Sequence, residues 1–163
     1  MMIRPVFLLL LPLLLAAATP VNARESLGIF ESWGAFRDPS PARCYAIALP
    51  VRKGGREGFA TISHWPEQRI RGQIQFRLSR GHGQSAPVTL SIGDRRFALV
   101  AGAADAWAAD AQGDAAIVAA IRSGTSMSVE TRDARGRAYA DAYALRGAAT
   151  AIDAAALGCA RRG

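Results

Sequence analysis

Cys44 and Cys159 stand near the two ends of the chain that follows the leader, and no other pair of residues constrains the fold as much. Residues 1–23 read as a secretory signal. Arg4 supplies the positive start, Val6 to Ala18 an apolar run broken only by Pro12, and Val21-Asn22-Ala23 the small residues that precede a cut. The apolar run is shorter than the roughly 20 residues of a spanning helix, so a membrane span is the weaker reading. Residues 24–163 then form one exported domain, periplasmic or secreted. In such an oxidising compartment two cysteines read as one disulfide, Cys44–Cys159, with two buried free thiols as the alternative. Pairing would close a loop of over a hundred residues, for which chain entropy gives about 5 kcal/mol as an upper figure.

The chain between them is cut into short runs by turn chemistry. Leu27 to Phe36 reads as one apolar and aromatic strand ending at Asp38-Pro39-Ser40-Pro41, and Cys44 to Leu49 as a second stopped by Pro50. Phe59 to Trp65 is a third, closed by Pro66, after a charged loop at Lys53 to Glu57. Ile74, Phe76 and Leu78 alternate with polar residues, the period of a half-buried strand. Ser79 to Ser85, with two glycines and His82, reads as a loop. Val88, Leu90 and Ile92 share a face, Gly93-Asp94 supplies a two-residue type II′ turn, and Arg95 to Val100 returns. A second hairpin joins Ser126 to Thr131 with Ala138 to Leu145. Asp114 to Arg122 reads as a helix capped by Asp114 and ended by a left-handed Gly124. Thr150 to Gly158 reads as a second, starting at a threonine cap. Its Ile152, Ala156 and Cys159 fall on one face, which aims Cys159 at the core. The fold class expected is mainly β, a β-sandwich or small barrel of about eight antiparallel strands with two short helices late in the chain.

No residue pattern points to catalysis, a cofactor or a metal. Serine or cysteine chemistry needs a base and an orienting acid, but no Gly-x-Ser-x-Gly elbow exists and the only histidines are His64 and His82. Asp105, Asp110 and Asp114 cluster around Trp107, as a small hydrolase acting on sugars might require, but their spacing equally suits helix capping and solvated loops. It also fails the alternating pattern of a calcium loop. Trp33 and Trp65 read as core residues that each need a partner for the indole N–H. The chain carries 20 basic and 13 acidic residues, and Lys53 is its only lysine. That surplus suits an anionic surface such as lipid A phosphates, with Arg77, Arg95 and Arg96 as candidate polyanion-binding residues. Nucleic acid is not an expected partner, because aromatics are not interleaved with arginines along one strand face.

The arrangement of short segments carries a resemblance. Phe30-Glu31-Ser32-Trp33 opens the domain and Arg43-Cys44-Tyr45-Ala46-Ile47 holds the first cysteine. Trp107, Ala119 to Gly124 and Ser126-Met127-Ser128-Val129 follow, then Asp141 to Gly147 and a final Cys159. Together they resemble the invasion-associated locus B family of exported alphaproteobacterial proteins. The resemblance spans about Leu27 to Cys159, matches poorly over Arg52 to Ser85, and lacks a mid-chain cysteine pair common in that family. It implies an exported, β-rich envelope protein without an established enzymatic activity, and no catalytic residues to carry over. The function expected is therefore a non-enzymatic β-domain that binds an envelope or extracellular partner. A cationic binder of polyanions and a small periplasmic hydrolase are the alternatives.

Overall fold

The computed structural model describes residues 23–52 and 57–160; the leader read at 1–23 and the loop read at Lys53 to Glu57 fall almost wholly outside them. Ten strands and two helices follow one another: β1 (Glu25–Phe30), β2 (Trp33–Pro39), β3 (Ala42–Ala48), β4 (Phe59–Trp65), β5 (Ile70–Arg77), β6 (Val88–Ile92), β7 (Arg95–Ala101), β8 (Asp105–Trp107), α1 (Ala111–Ser123), β9 (Ser126–Arg132), β10 (Ala138–Ala144) and α2 (Ala148–Ala160). All pairings are antiparallel, in the order β1-β2-β3-β4-β5-β8-β7-β6-β9-β10. The mainly-β class read from the sequence is what the structure has, with ten strands among the described residues rather than about eight.

The two layers of the domain come from this one open sheet folding over itself. Four strands separate β5 from β10 in the order, yet Phe76 and Tyr143 pack with ring centroids 6.2 Å apart. The Trp33 indole N–H donates to the Ala144 carbonyl at 2.9 Å, and Val51 N–H to that of Ala142 at 2.8 Å. Inside the fold lie the alternating residues of each strand: Ile62, Ile74 and Phe76 on one side, Leu90, Val129 and Tyr143 on the other, all nearly inaccessible. Burying such side chains is worth roughly 1.5–3 kcal/mol each.

Helix α2 closes the remaining inner face, over β1 to β4. Its buried stripe is Ala148, Ala151, Ile152, Ala155 and Gly158, and it meets Ala35, Cys44 and Ala46 of the sheet. These small residues let the backbone of the helix come close: a Cβ at Gly158 would stand 2.5 Å from Leu27 Cδ1. The helix starts two residues before Thr150, so Thr150 lies inside it and is not the cap. Gly147 makes that start possible. Its φ is +85°, and any side chain there would overlap the Phe30 carbonyl.

Three further readings change. Leu27 to Phe36 is a hairpin rather than one strand, reversed at Glu31-Ser32 with Glu31 at φ +54°. Asp110, not Asp114, caps α1 by accepting from Gly113 N–H at 2.7 Å, while the Asp114 carboxylate accepts from Ile74 N–H at 2.9 Å and ties the helix to β5. Gly124 is extended (φ −84°) and not left-handed; glycine stands there because a Cβ would meet Ile92 and Leu145 at about 3 Å. The hairpins at Gly93-Asp94 and between β9 and β10 stand where the sequence reading places them.

Candidate functional site

The described surface is indented at one corner, where the end of α2 meets β3, β4 and the β4–β5 connection. Cys44 and Cys159 are joined there by a disulfide, Cα–Cα 5.7 Å. Cys44 is fully buried in β3, and its cross-strand partner on β4 is His64. Beyond Trp65 the chain turns through Pro66–Gln68, with proline in the first turn where no N–H is needed. Arg69 closes that turn in a left-handed conformation (φ +56°), and Gly72 at φ +70° bends the start of β5. Two cavities border the disulfide here, one lined by the β2–β3 segment and one by the β4–β5 segment, with Pro66 and Cys159 common to both.

The first cavity, about 350 Å³, is electrically balanced. Arg37 and Arg43 enter it with Asp38 and Glu67; Arg43 pairs with Asp38 at 3.2 Å. Arg37 pairs with Glu25 and donates at 3.2 Å to the Gly158 carbonyl, at the negative end of α2. On the outer sheet face beside it, the Arg43 guanidinium lies 4.0 Å from the Tyr45 ring and 5.1 Å from that of Trp65. Arg24 covers Tyr45 at 5.6 Å. Arginine stacked on aromatics in this way is attracted by the ring quadrupole. Burial, then the nearby Asp38, pushes the Tyr45 phenol above its ordinary value.

The second cavity is about 540 Å³. Among the described residues its polar lining is His64, Arg69 and Arg71, with no carboxylate, and Pro66, Ile70, Ala156 and Ala160 supply apolar wall. Neither guanidinium has a salt-bridge or hydrogen-bond partner among the described residues, the Arg69 backbone N–H alone donating to the Pro66 carbonyl at 3.1 Å. The His64 Nε2 is buried and unpartnered. Burial first, then the charges of Arg71 and Arg122, hold the imidazole below its ordinary value near 6.5, so it is neutral at pH 7.

The three arginines nominated from the sequence do not share one surface. Arg77 pairs with Asp105 at 2.6 Å and lies over Phe59. Arg95 lies 4.9 Å from the Phe97 ring, and Arg96 faces Glu130 at 3.6 Å. Adjacent on β7, Arg95 and Arg96 point to opposite faces. Cross-strand register aligns Ala101, Ala106 and Phe76, which leaves Arg95 about 20 Å along the strand from the Arg77 row.

The residues weighed for catalysis have structural work. Asp105 holds Arg77 and Gln75, while Asp110 and Asp114 accept backbone N–H groups. Half-buried Trp107 belongs to β8, between β5 and β7. Ser79 bonds directly to the buried Asp141 through both its N–H and its hydroxyl. His82 lies in a bridge with Asp133, half-buried, with Nδ1 on the Gly83 carbonyl. A serine–histidine–aspartate relay is not formed by these groups. Trp33 is in the core, but Trp65 is half-buried on the outer face, its N–H on Gln73. Among the described residues no three potential ligands gather to hold a metal, and no helix is long and apolar enough to cross a membrane.

The fold is similar to that of invasion associated protein B from Bartonella henselae. The match has a TM-score of 0.58 at 17% identity and covers 81% of this chain and 97% of that one. At that identity the likeness is one of fold. No family model matches the chain, and no curated protein does. Sequence reasoning found the cysteine pair at this corner but missed Arg69 and Arg71, which stand in no motif. Their one local signal is Trp65-Pro66, a strand end followed by a turn.

Proposed function

We propose that this chain is an exported, non-enzymatic β-domain of the bacterial cell envelope that binds an envelope or extracellular partner. The likeness in fold to invasion associated protein B, over nearly the whole of that protein, is the observation that carries this reading. The leader-like residues 1–23 and a disulfide stapling the first strands to the last helix support export. An apolar patch supports a partner: Ile29, Leu49 and Val51 are each more than 60% exposed. Ile29 shares a cross-strand row with Gly34 and Ile47, and Leu49 and Val51 continue the outward alternation of β3. Clustered apolar surface of this kind marks interaction sites more often than single exposed residues do.

Two measurements test the proposal together. Intact mass of protein recovered from each cell fraction and the medium is expected to show residues 24–163, two hydrogens lighter than the reduced chain. The double variant Ile29→Asp/Leu49→Asp is expected to keep the parent melting temperature and lose its association with the envelope fraction. A cytoplasmic chain with the leader retained and free thiols would overturn export. Unchanged envelope association of the folded double variant would overturn the partner surface.

A further inference from the structure

We infer that the larger cavity beside the disulfide is a binding site for an amphiphilic anion, its charged head held by Arg69 and Arg71 and its apolar body lying on Ile70, Pro66 and Ala156. The inference stands independently of any macromolecular partner.

Four features point to this ligand. The cavity is about 540 Å³, within the range of small-molecule sites. Among the described residues its ionic lining is of one sign, whereas the neighbouring cavity holds Arg37 and Arg43 together with Asp38 and Glu67. Several arginines on or beside the first strands are paired with carboxylates: Arg24 and Arg43 with Asp38, Arg77 with Asp105, Arg37 with Glu25. Arg69 and Arg71 have no such partner, and Arg69 takes a left-handed backbone that a residue with a Cβ adopts only at a steric cost. The last feature is the buried, unsatisfied Nε2 of His64 in the cavity wall. An orphaned buried polar atom is costly, and a small turn of the His64 ring that lets an anion's oxygen accept from Nε2–H would satisfy it. The remaining wall, Pro66, Ile70, Ala156 and the Cys159 side of the disulfide, is apolar and unsuited to a bare inorganic ion.

Carboxylate and phosphate heads share the chemistry that this site recognises, and fatty acids and lipid phosphates are their two sources. Calorimetric titration of the oxidised protein with octyl phosphate, octanoate and inorganic phosphate, each below micelle formation, distinguishes them. The expected result is saturable binding of an alkyl anion at least tenfold tighter than inorganic phosphate. Preference for octyl phosphate would mark a lipid phosphate, and for octanoate a fatty acid; either supports the proposal. The variant Arg69→Gln/Arg71→Gln is expected to weaken binding tenfold or more. Arg95→Gln/Arg96→Gln, which removes the same charge elsewhere, should change it less than twofold. Side-chain nitrogen NMR gives a readout independent of any variant. His64 Nε2 should move on titration while His82, the other histidine, stays in place. Equal affinity for inorganic and octyl phosphate, no binding of any probe, equal loss in both double variants, or a stationary His64 signal would each overturn the proposal.

Discussion

The corner at Cys44–Cys159 and the hairpin tip at Gly93-Asp94 both present arginines to solvent, by different physics. At the hairpin the backbone is set locally. Gly93 takes the positive φ that the turn requires, Val88, Leu90 and Ile92 alternate inward, Arg95 lies over Phe97 of its own strand, and Arg96 faces Glu130 of β9, one strand beyond β6. At the corner two distant segments meet. His64 from β4, Arg69 from the β4–β5 connection and Arg71 from the start of β5 face Ala156 and Cys159 of α2 only because the last helix folds back across the first strands. A regular hairpin uses up its charges; an irregular junction held by a covalent link can leave some unsatisfied, and unsatisfied groups bind.

The comparison can be broken most forcefully at the disulfide. Cys44→Ala/Cys159→Ala is expected to lose about 2–5 kcal/mol in urea unfolding against the oxidised parent, since the link spans 115 residues. A loss below about 1 kcal/mol would mean that α2 holds the corner by packing alone. Next come the glycines of the two regions. Gly158→Ala forces a Cβ onto Leu27 and should cost about 1–3 kcal/mol. Gly93→Ala meets no neighbour within 4 Å and should cost only the roughly 1 kcal/mol of its left-handed backbone. Equal costs would show that α2 is looser than its packing indicates. Glu31→Gly, at the other left-handed turn, should stabilise by about 1 kcal/mol for the same reason reversed. The smallest effect is Arg96→Ala, an exposed pair at 3.6 Å, expected within about 0.5 kcal/mol.

Acid titration sharpens the same contrast. His64 in the folded chain sits below its ordinary value near 6.5 because burial disfavours its charge, so below that value the unfolded chain binds a proton that the folded one refuses. Stability should therefore fall as pH drops below about 6.5, and His64→Gln should flatten this part of the curve. Asp133 acts lower. The Arg137 N–H first, then the Arg137 side chain and the Arg135 N–H, hold its carboxyl below 3.8 against a smaller cost of burial. Its contribution is present above the unfolded value and lost as pH falls through the depressed one, a loss absent in Asp133→Asn.

Legibility in the sequence followed locality. β4 was read at its exact bounds and the two late hairpins nearly so, because alternation and turn residues are encoded within a few positions. The β1–β2 reversal was missed because Glu31 adopts a positive φ that glutamate does not announce. β8 was missed because three residues carry no period. Asp114 was misread as a cap because its partner, Ile74 N–H, is 40 residues away in sequence. Arg69 and Arg71 were invisible for a related reason: an arginine without a carboxylate partner looks, in one dimension, like every other surface arginine.

The sequence by itself determined a mainly-β chain, its two late hairpins and the opportunity for one long-range disulfide, since alternation, turn chemistry and cysteine count are properties of neighbours or of composition. Only the tertiary structure decided that one open sheet doubles over to make both layers, that Gly124 and Gly158 are needed for space, and that a cavity lined by Arg69 and Arg71 opens beside Cys159. Those outcomes depend on which distant faces bury each other, and burial is a property of the packed chain that no short window contains.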